Sequence, residues 1–216
     1  MNSFSVRDAD IHFCSLPILI VRYIQMRISG GTAKGRRTAS KNLFTKTLAG
    51  ERVRPTSSKV REALFDIVRN RIEGARFVDL YAGTGTVGLE ALSRGAGYAF
   101  FVEPNELLVV MIKKALQDIG FPDKSDVLKG KADEFLLKAA LRNERFDIFF
   151  IDPPYQSSEI ETILPLIGEK GLLKENGVVV VEHFFKKAIP DKAGPLRIDR
   201  TYRYGDTMLT MYTVRS

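Results

Sequence analysis

The chain has few of the residues that disulfide and metal chemistry require. It holds one cysteine among 216 residues, so no intramolecular disulfide can form. Nothing in it resembles an export signal, and we therefore expect a reducing, cytoplasmic compartment. The two histidines, His12 and His183, have no partners at metal-ligand spacing except Glu182, which on a strand would face away from His183. The sequence thus predicts no metal site and a structural or cleft-edge role for His183.

A long apolar run is also absent. Residues 16–24 are apolar but far fewer than the roughly 20 that a membrane span needs, and Arg22 interrupts them. No secretory cleavage site follows this stretch. We therefore expect no membrane association. We interpret residues 1–25 as an N-terminal extension that is dispensable if Met26 is the true start.

The positive charge is concentrated in one window. Residues 26–61 contain ten Lys or Arg and one acid, which gives this window a formal charge of +9. The whole chain carries +7, so the remaining residues together carry −2. Such a block is typical of a surface that binds phosphates, although a solubilising patch has the same composition.

The apolar periodicity predicts an α/β fold. Thr, Ser and Gly in residues 27–47 favour a β-hairpin, and a helix is predicted after the start signals at residues 55–58. Further strands are predicted at residues 76–81, 98–103, 126–129, 146–151 and 178–182, alternating with helices at 87–93, 106–119, 134–141 and 158–167. A closing antiparallel hairpin is predicted at 196–204 and 207–214. The pattern indicates a mostly parallel seven-stranded sheet with helices on both faces.

A glycine motif follows the first of these parallel strands. Residues 79–88 read DLYAGTGTVG, a G-x-G-x-x-G that opens a helix. Gly83 and Gly85 allow the backbone to approach a ligand closely, and Gly88 permits tight packing of helix on strand. Glu103 follows Gly83 by 20 residues, at the end of the next strand, where its carboxylate could accept hydrogen bonds from ribose hydroxyls. Together these features predict a site for an adenosine-containing cofactor.

Two acidic residues bear on which cofactor binds. Asp79 could hold the ammonium group of a methionine moiety and would repel a pyrophosphate, or it could cap the strand end. Asp133, after the third strand, could accept a hydrogen bond from the adenine amine or cap the helix that starts there. The residues alone leave dinucleotides and S-adenosylmethionine both open.

The tetrapeptide Asp152-Pro153-Pro154-Tyr155 ends the apolar strand at residues 146–151. Asp152 and the carbonyl of Pro153 could each accept one hydrogen of an exocyclic base amine, which turns the amine lone pair out of the ring plane toward an electrophilic methyl group. Tyr155 could stack on the base. The alternative is a purely structural role, in which the prolines form a turn that ends the strand. The tetrapeptide therefore suggests an enzyme that modifies a nucleobase.

Taken in order, these segments resemble the RsmD family of bacterial 16S ribosomal RNA guanine-N2 methyltransferases, which have a Rossmann-like class I methyltransferase fold. The resemblance runs from residue 26 to the C-terminus. It rests on MRISGGTAKGRR, RPTSSKVREALFDIV, FVDLYAGTGTVGLEALSRGA, FVEPN and FDIFFIDPPY. It implies a basic hairpin at residues 26–54 and a methyltransferase domain at residues 55–216.

The resemblance also implies an activity and a set of site residues. The expected reaction is methyl transfer from S-adenosylmethionine to the N2 amine of a guanine in 16S ribosomal RNA, free or in a partly assembled small subunit, by a monomeric enzyme. Residues implied to surround the target amine are Asp152, Pro153, Pro154 and Tyr155. Those implied to bind the cofactor are Asp79, Ala82, Gly83, Gly85, Gly88, Glu103 and Asp133. Those implied to contact RNA are Arg27, Lys34, Arg36, Arg37 and Arg54.

Other functions remain open at this point. The same tetrapeptide occurs in adenine-N6 methyltransferases that act on DNA or RNA, so the motif indicates an amine and not a particular base. A noncatalytic RNA-binding assembly factor that uses only the basic hairpin is a third hypothesis. Many RsmD members have Phe where Tyr81 stands and a small residue where Val87 stands.

Overall fold

The structure, a computed structural model, describes residues 22–42, 57–154 and 157–214. Within residues 22–26 and 37–42 it describes the backbone only. The predicted sites Tyr155 and Arg54 and most of the predicted extension therefore lie outside the described residues. Arg37 is described by its backbone alone.

The described chain begins with a two-stranded antiparallel hairpin. β1 (Arg22–Arg27) pairs with β2 (Arg37–Asn42), and Arg27 lies opposite Arg37. The sequence predicted this hairpin from residue 27 onward. The first strand starts earlier because Tyr23 and Ile24, two residue types that favour strands, extend it toward the N-terminus. It therefore crosses the boundary predicted at residue 26.

Strands and helices alternate through the rest of the chain, as predicted. The helices are α1 (Ser58–Ile67), α2 (Thr86–Ser93), α3 (Glu106–Ile119), α4 (Ala132–Leu141) and α5 (Glu159–Glu169). The strands are β3 (Arg76–Leu80), β4 (Tyr98–Glu103), β5 (Ser125–Lys129), β6 (Phe146–Ile151), β7 (Leu173–Phe184), β8 (Lys192–Ala193), β9 (Leu196–Tyr204) and β10 (Thr207–Val214).

The central sheet has the order β5-β4-β3-β6-β7-β10-β9-β8. β3 to β7 are parallel, while β10 runs antiparallel to both of its neighbours, β7 and β9. The sequence predicted seven strands, and the eighth is the two-residue β8, which is too short to produce a periodic pattern. The predicted α/β architecture, with a closing antiparallel hairpin at Gly205-Asp206, is confirmed.

Local sequence signals define α3 closely. Its N-cap Asn105 accepts hydrogen bonds from the backbone N–H groups of Leu107 and Leu108, at 2.9 and 3.4 Å. Its C-cap Gly120 has a φ of 82°, which glycine adopts without the steric cost of a side chain.

Both faces of the parallel strands are buried. Phe77, Phe101 and Phe150 pack with residues of α1, α2 and α3 on one face, whereas Leu80 and Phe149 pack with α4 and α5 on the other. Burial on two faces explains why these strands are continuously apolar. None of the helices in the described ranges has the length and apolarity that a bilayer crossing requires.

The strand order reverses direction between β3 and β6. β3 has β4, the next strand along the chain, on one side and β6 on the other, and Leu80 pairs with Ile151. In open α/β sheets, ligands bind in the crevice beyond the carboxyl ends of the strands at such a switch point. The glycine loop and the tetrapeptide follow these paired residues directly, so they start side by side at the carboxyl edge of the sheet.

Candidate active site

The glycine loop at the carboxyl edge is built from left-handed backbone. Tyr81, Gly83 and Gly85 have φ values of 68°, 54° and 75°. This conformation costs glycine little, but for Tyr81 it stores strain of about 1–3 kcal/mol, which is commonly found at functional sites. Burial raises the pKa of Tyr81, and the carboxylates of Glu159, its hydrogen-bond acceptor, and Asp133 raise it further. Tyr81 therefore stays protonated and ties the loop to α5.

Glu103 fastens the same loop to the end of β4. Its Oε2 accepts a hydrogen bond from the N–H of Gly83 at 2.8 Å, and its Oε1 accepts one from the N–H of Asn105 at 2.9 Å. Burial raises the pKa of Glu103, and these two hydrogen bonds oppose that shift. Each carboxylate oxygen has a second lone pair. Glu103 can therefore hold the loop and also accept hydrogen bonds from a ligand.

Asp79 lies beneath the loop and is 1% exposed. Its Oδ2 accepts a hydrogen bond from the N–H of Gly88 at 2.9 Å, which joins β3 to α2. Burial raises the pKa of Asp79 to about 8; the charges of Asp152 and Glu103 add to the shift and the Gly88 hydrogen bond opposes it. The carboxyl group is thus largely protonated at neutral pH. A ligand ammonium beside it would lower the pKa again.

Gly85 and Gly88 are required for packing. A Cβ at Gly85 would lie 2.8 Å from Cγ1 of Ile112, and one at Gly88 would lie 2.3 Å from Cε1 of the buried Phe101. Ala82, between Tyr81 and Gly83, is buried and donates its N–H to the carbonyl of Val102 at 3.0 Å. The motif therefore holds the N-terminal part of α2 closely against α3 and against β4 of the sheet.

Asp152 lines a cleft beside the glycine loop. The cleft is shallow, with a cavity volume of about 10 Å³, and it opens to solvent. Its lining residues are Asp152, Pro153, Pro154, Ile160, Glu182, His183, Phe184 and Lys187. Asp152 is partly exposed, whereas Pro153 is buried. Because the charge of Asp152 acts on Asp79, the tetrapeptide and the glycine loop share one electrostatic environment.

The electrostatics of this edge favour a cationic ligand. Three carboxyl groups, those of Asp79, Glu103 and Asp152, lie close enough that the last two raise the pKa of the first. A sulfonium or ammonium group would be attracted here, and a pyrophosphate would be repelled. These three carboxyl groups therefore fit S-adenosylmethionine better than a dinucleotide.

Glu182 and His183, adjacent residues near the carboxyl end of β7, both line the cleft. His183 Nδ1 lies 3.1 Å from the carbonyl of Phe184 and Nε2 lies 2.9 Å from Oγ1 of Thr210. Since a carbonyl only accepts, Nδ1 donates and Nε2 accepts from the hydroxyl. Burial lowers the pKa of His183, so it is a neutral structural residue at the cleft edge, as expected.

Asp133 lies in the first turn of α4 and is not its cap. The N-cap position belongs to Lys131, and Oδ1 of Asp133 accepts the N–H of Glu134 at 2.9 Å. The helix starts earlier than predicted because Ala132, a strong helix former, extends it. The charge of Asp133 acts on Tyr81, so it faces the glycine loop.

The described basic residues of the hairpin lie away from this cleft. Arg27, Lys34 and Arg36 are exposed, and Nη1 of Arg36 donates to the carbonyl of Ile119 at 3.0 Å, at the C-terminal end of α3. α3 runs back from the carboxyl edge for 14 residues, about 21 Å. Arg36 therefore lies at the opposite, amino edge of the sheet. Its contact with RNA stays a prediction.

The hairpin loop is clamped to the C-terminal end of α2. Ser93 Oγ donates to the carbonyl of Gly30 at 2.6 Å and accepts the N–H of Ala33 at 2.9 Å. The buried carboxylate of Glu90 accepts the N–H and the hydroxyl of Ser29, both at 2.8 Å. This clamp fixes the hairpin to the helix that carries the glycine loop at its other end.

Two cations complete the clamp. Arg94 Nε donates to Glu90 at 2.8 Å, and Arg61 Nε lies 3.7 Å from the same carboxylate. Burial lowers the pKa of Arg61, and the charge of Glu90 opposes that shift.

In the part of the chain that the structure describes, no group of three or more His, Cys, Asp and Glu side chains is arranged to hold a metal ion.

Comparison with known proteins identifies the family. The model of a family described as Conserved hypothetical protein 95, the RsmD family, matches residues 26–213. The chain belongs to this family. Among its RsmD relatives, YlbH of Bacillus subtilis is 34% identical over 190 residues, covering 88% of this chain and 100% of YlbH. Ribosomal RNA small subunit methyltransferase D of Escherichia coli is 28% identical over 188 residues, covering 87% and 89%.

A solved structure of a methyltransferase has the same fold. The structure of yhhF from Escherichia coli superposes with a TM-score of 0.74 at 27% identity, and the match covers 89% of this chain and 99% of that one. The fold therefore extends over nearly the whole of a solved methyltransferase chain.

Several residues at this site are not predicted from the sequence. They are Glu159, Glu182, Phe184 and Lys187. Their sequence signal is weak because the carboxyl end of β7, which carries Glu182 and Phe184, is extended by pairing with β10, a strand remote in the chain. A strand that is predicted to end at residue 182 does not indicate that the residues after it line the cleft.

Proposed function

We propose that the protein transfers a methyl group from S-adenosylmethionine to the exocyclic N2 amine of a guanine in 16S ribosomal RNA. The observation that carries this proposal is the switch point, because the pairing of Leu80 with Ile151 brings the glycine loop and the Asp152 cleft together. Membership of the RsmD family supports ribosomal RNA as the substrate. The RNA could be free or part of an incompletely assembled small subunit.

The methyl donor is S-adenosylmethionine, and its sulfonium supplies an activated methyl group. Glu103 would accept hydrogen bonds from the ribose hydroxyls. Asp79, beneath the loop, would favour the ammonium group of the methionine moiety, and Asp133, which faces the loop through Tyr81, is the candidate partner of the adenine amine. These groups hold the reactant and perform no bond chemistry. Positioning of the two reactants is most of the catalysis.

Asp152 and the carbonyl of Pro153 act on the base. Each would accept one hydrogen of the amine, so the nitrogen lone pair leaves conjugation with the ring. Bound S-adenosylmethionine would supply the methyl group to this nitrogen, its carbon–sulfur bond breaking as the nitrogen–carbon bond forms and the sulfur departing as a neutral thioether. The nitrogen then loses one proton, for which Asp152 is the nearest assigned acceptor. Tyr155, outside the described residues, is proposed to stack on the base.

Glu182 supports guanine over adenine as the target. Enzymes that act on a base extrude it into a pocket and recognise its Watson–Crick edge by hydrogen bonds. Guanine presents N1–H and N2–H donors next to each other, which suit the two carboxylates, Asp152 and Glu182, that line the same cleft. Adenine presents an acceptor at N1, whose lone pair a carboxylate would repel.

The test is the identity of the methylated nucleoside. The protein is incubated with isotopically labelled S-adenosylmethionine and with unmethylated 16S RNA, free or in small subunits, and the RNA is digested and analysed by mass spectrometry. N2-methylguanosine is the expected product. N6-methyladenosine would replace the guanine assignment with the adenine one. RNA binding without affinity for S-adenosylmethionine would indicate a noncatalytic assembly factor.

A further inference from the structure

The mouth of the Asp152 cleft carries a group of aromatic and cationic side chains, here called the pocket rim. It consists of residues 184–187, which read Phe-Phe-Lys-Lys, and of Arg203 on β9. Phe184 and Lys187 line the cleft itself. The rim thus begins inside the site and extends outward from it.

The rim side chains are stacked on one another. The rings of Phe184 and Phe185 meet edge to face, with centroids 4.8 Å apart. The guanidinium carbon of Arg203 lies 4.2 Å from the centroid of Phe185, and Nζ of Lys186 lies 5.5 Å from it. Arg203 Nε also donates to the carbonyl of Gly205 at 2.9 Å, which fixes the guanidinium over the ring.

The rim is held at two points, one through its backbone and one through a side chain. The N–H of Phe185 donates to the carbonyl of Asp206 at 3.0 Å, in the turn between β9 and β10. Nζ of Lys187 donates to the carbonyl of Ser157, which closely follows the tetrapeptide. The rim is therefore a preorganised surface that is tied to the catalytic segment.

The chemistry of the rim suits a single-stranded nucleic acid. The rim contains three cations, Lys186, Lys187 and Arg203; the neighbouring acids are Asp206 in the adjacent turn and Asp152 and Glu182 inside the cleft. Both phenylalanine rings are partly exposed. Surfaces that bind single strands combine aromatic rings, on which bases stack, with cations that pair with phosphates. The rim has both features within one short segment.

The basic hairpin cannot supply this contact from its described part. Arg36 lies about 21 Å from the carboxyl edge, the length of α3. A nucleotide whose amine lies at Asp152 would have its neighbours at the mouth of the cleft, beside the rim. Contacts at the hairpin would fix a distant part of the RNA and leave these neighbours unrestrained.

We propose that the pocket rim binds the RNA nucleotides that flank the target base. Phe185, braced by Arg203, stacks on a flanking base, while Lys186 and Arg203 pair with the adjoining phosphates. This inference rests on the proposed function for the position of the target base. It assigns a second RNA contact, separate from the basic hairpin.

The test compares Phe185→Ala and Arg203→Ala with Arg145→Ala, a matched loss of one exposed arginine at the amino edge. Affinity for a short fluorescein-labelled single-stranded RNA is measured by fluorescence anisotropy at several salt concentrations, and affinity for S-adenosylmethionine by calorimetry. Phe185→Ala should weaken RNA binding about tenfold. Arg203→Ala should lower the slope of log affinity against log salt by about 0.7. Arg145→Ala should change neither quantity.

The outcomes separate this inference from the proposed function. The proposal that the rim binds RNA would be wrong if both rim variants bound RNA as tightly as Arg145→Ala does. It would also be wrong if the wild type bound no RNA. A weakened rim variant together with a wild type that transfers no methyl group would support the rim and reject the methyltransferase proposal. Phe185→Leu keeps most of the apolar area but removes the ring. If it binds RNA as weakly as Phe185→Ala and its affinity for S-adenosylmethionine is unchanged, misfolding is excluded as the cause of the weaker RNA binding.

Discussion

Replacement of Gly88 by alanine tests how closely the glycine motif holds helix to sheet. The new Cβ would lie 2.3 Å from Cε1 and 2.6 Å from Cζ of Phe101, a ring with no exposed surface. Ordinary contact begins near 3.4 Å, so the ring or the helix must move by about 1 Å. Overpacking of this kind costs about 1–3 kcal/mol, and the higher helix propensity of alanine returns about 1 kcal/mol. Because a contact of 2.3 Å places the overpacking cost near the upper end of this range, we expect a net loss of about 2 kcal/mol in the free energy of unfolding.

The displacement should also reduce activity. Gly88 donates to Asp79, and α2 carries the glycine loop at its N-terminus. A shift of about 1 Å at a positioning element can lower kcat/KM by about 100-fold. Unfolding in denaturant measures the loss of stability, and a methyl-transfer assay measures the loss of kcat/KM. Gly130→Ala is the control, since its Cβ would meet nothing closer than 3.4 Å at the same edge of the sheet.

A second substitution decides whether the ring is the cause. Phe101→Leu removes both ring atoms that the new methyl group would meet. In that background Gly88→Ala should cost less than in the wild type, with a coupling energy of about 1 kcal/mol or more. Equal costs of Gly88→Ala in the two backgrounds would refute the packing argument.

Three further predictions concern charged groups of the site and of the clamp. Asp79 binds its proton more tightly in the folded protein, where its pKa is about 8, than in the unfolded chain, where it is 3.8. The free energy of unfolding should therefore fall as the pH rises between these values, by up to about 1.4 kcal/mol per pH unit. Asp79→Asn should remove this pH dependence, as measured by urea titrations at several pH values. Glu90→Gln removes the partner of buried Arg61 and should lower the free energy of unfolding by about 3 kcal/mol, whereas exposed Glu62→Gln should change it by less than about 0.5 kcal/mol. Glu182→Gln should lower kcat/KM for RNA roughly 10- to 100-fold and leave S-adenosylmethionine affinity unchanged; an undiminished kcat/KM would remove Glu182 from base recognition.

Features with local physical causes could be predicted from the sequence. α3 was predicted with the observed ends because Asn105 and Gly120 cap it through their own side chain and backbone. The proximity of the glycine loop and the tetrapeptide also followed, since alternating strands and helices produce a parallel sheet whose strands end at one edge.

Features that depend on remote pairing could not be predicted. β7 extends to Phe184 because its last residues pair with the start of β10, with Phe184 opposite Thr207 and His183 opposite Met208. This extension brings Glu182 and the pocket rim to the cleft. The docking of Arg36 on α3 was equally hidden, because a count of charges does not reveal which carbonyl a guanidinium meets. Tyr155 and Arg54, outside the described residues, stay predictions.

The central claim is that Asp152 holds the amine that receives the methyl group, and single-turnover methyl transfer tests it most directly. Asp152→Ala is compared with wild type and with Asp123→Ala, which removes an exposed carboxylate in the turn before β5. Affinity for S-adenosylmethionine is measured in parallel. The account predicts that Asp152→Ala slows transfer to guanine by about 100-fold or more, while Asp123→Ala reacts at the wild-type rate. A near wild-type rate for Asp152→Ala would contradict the account.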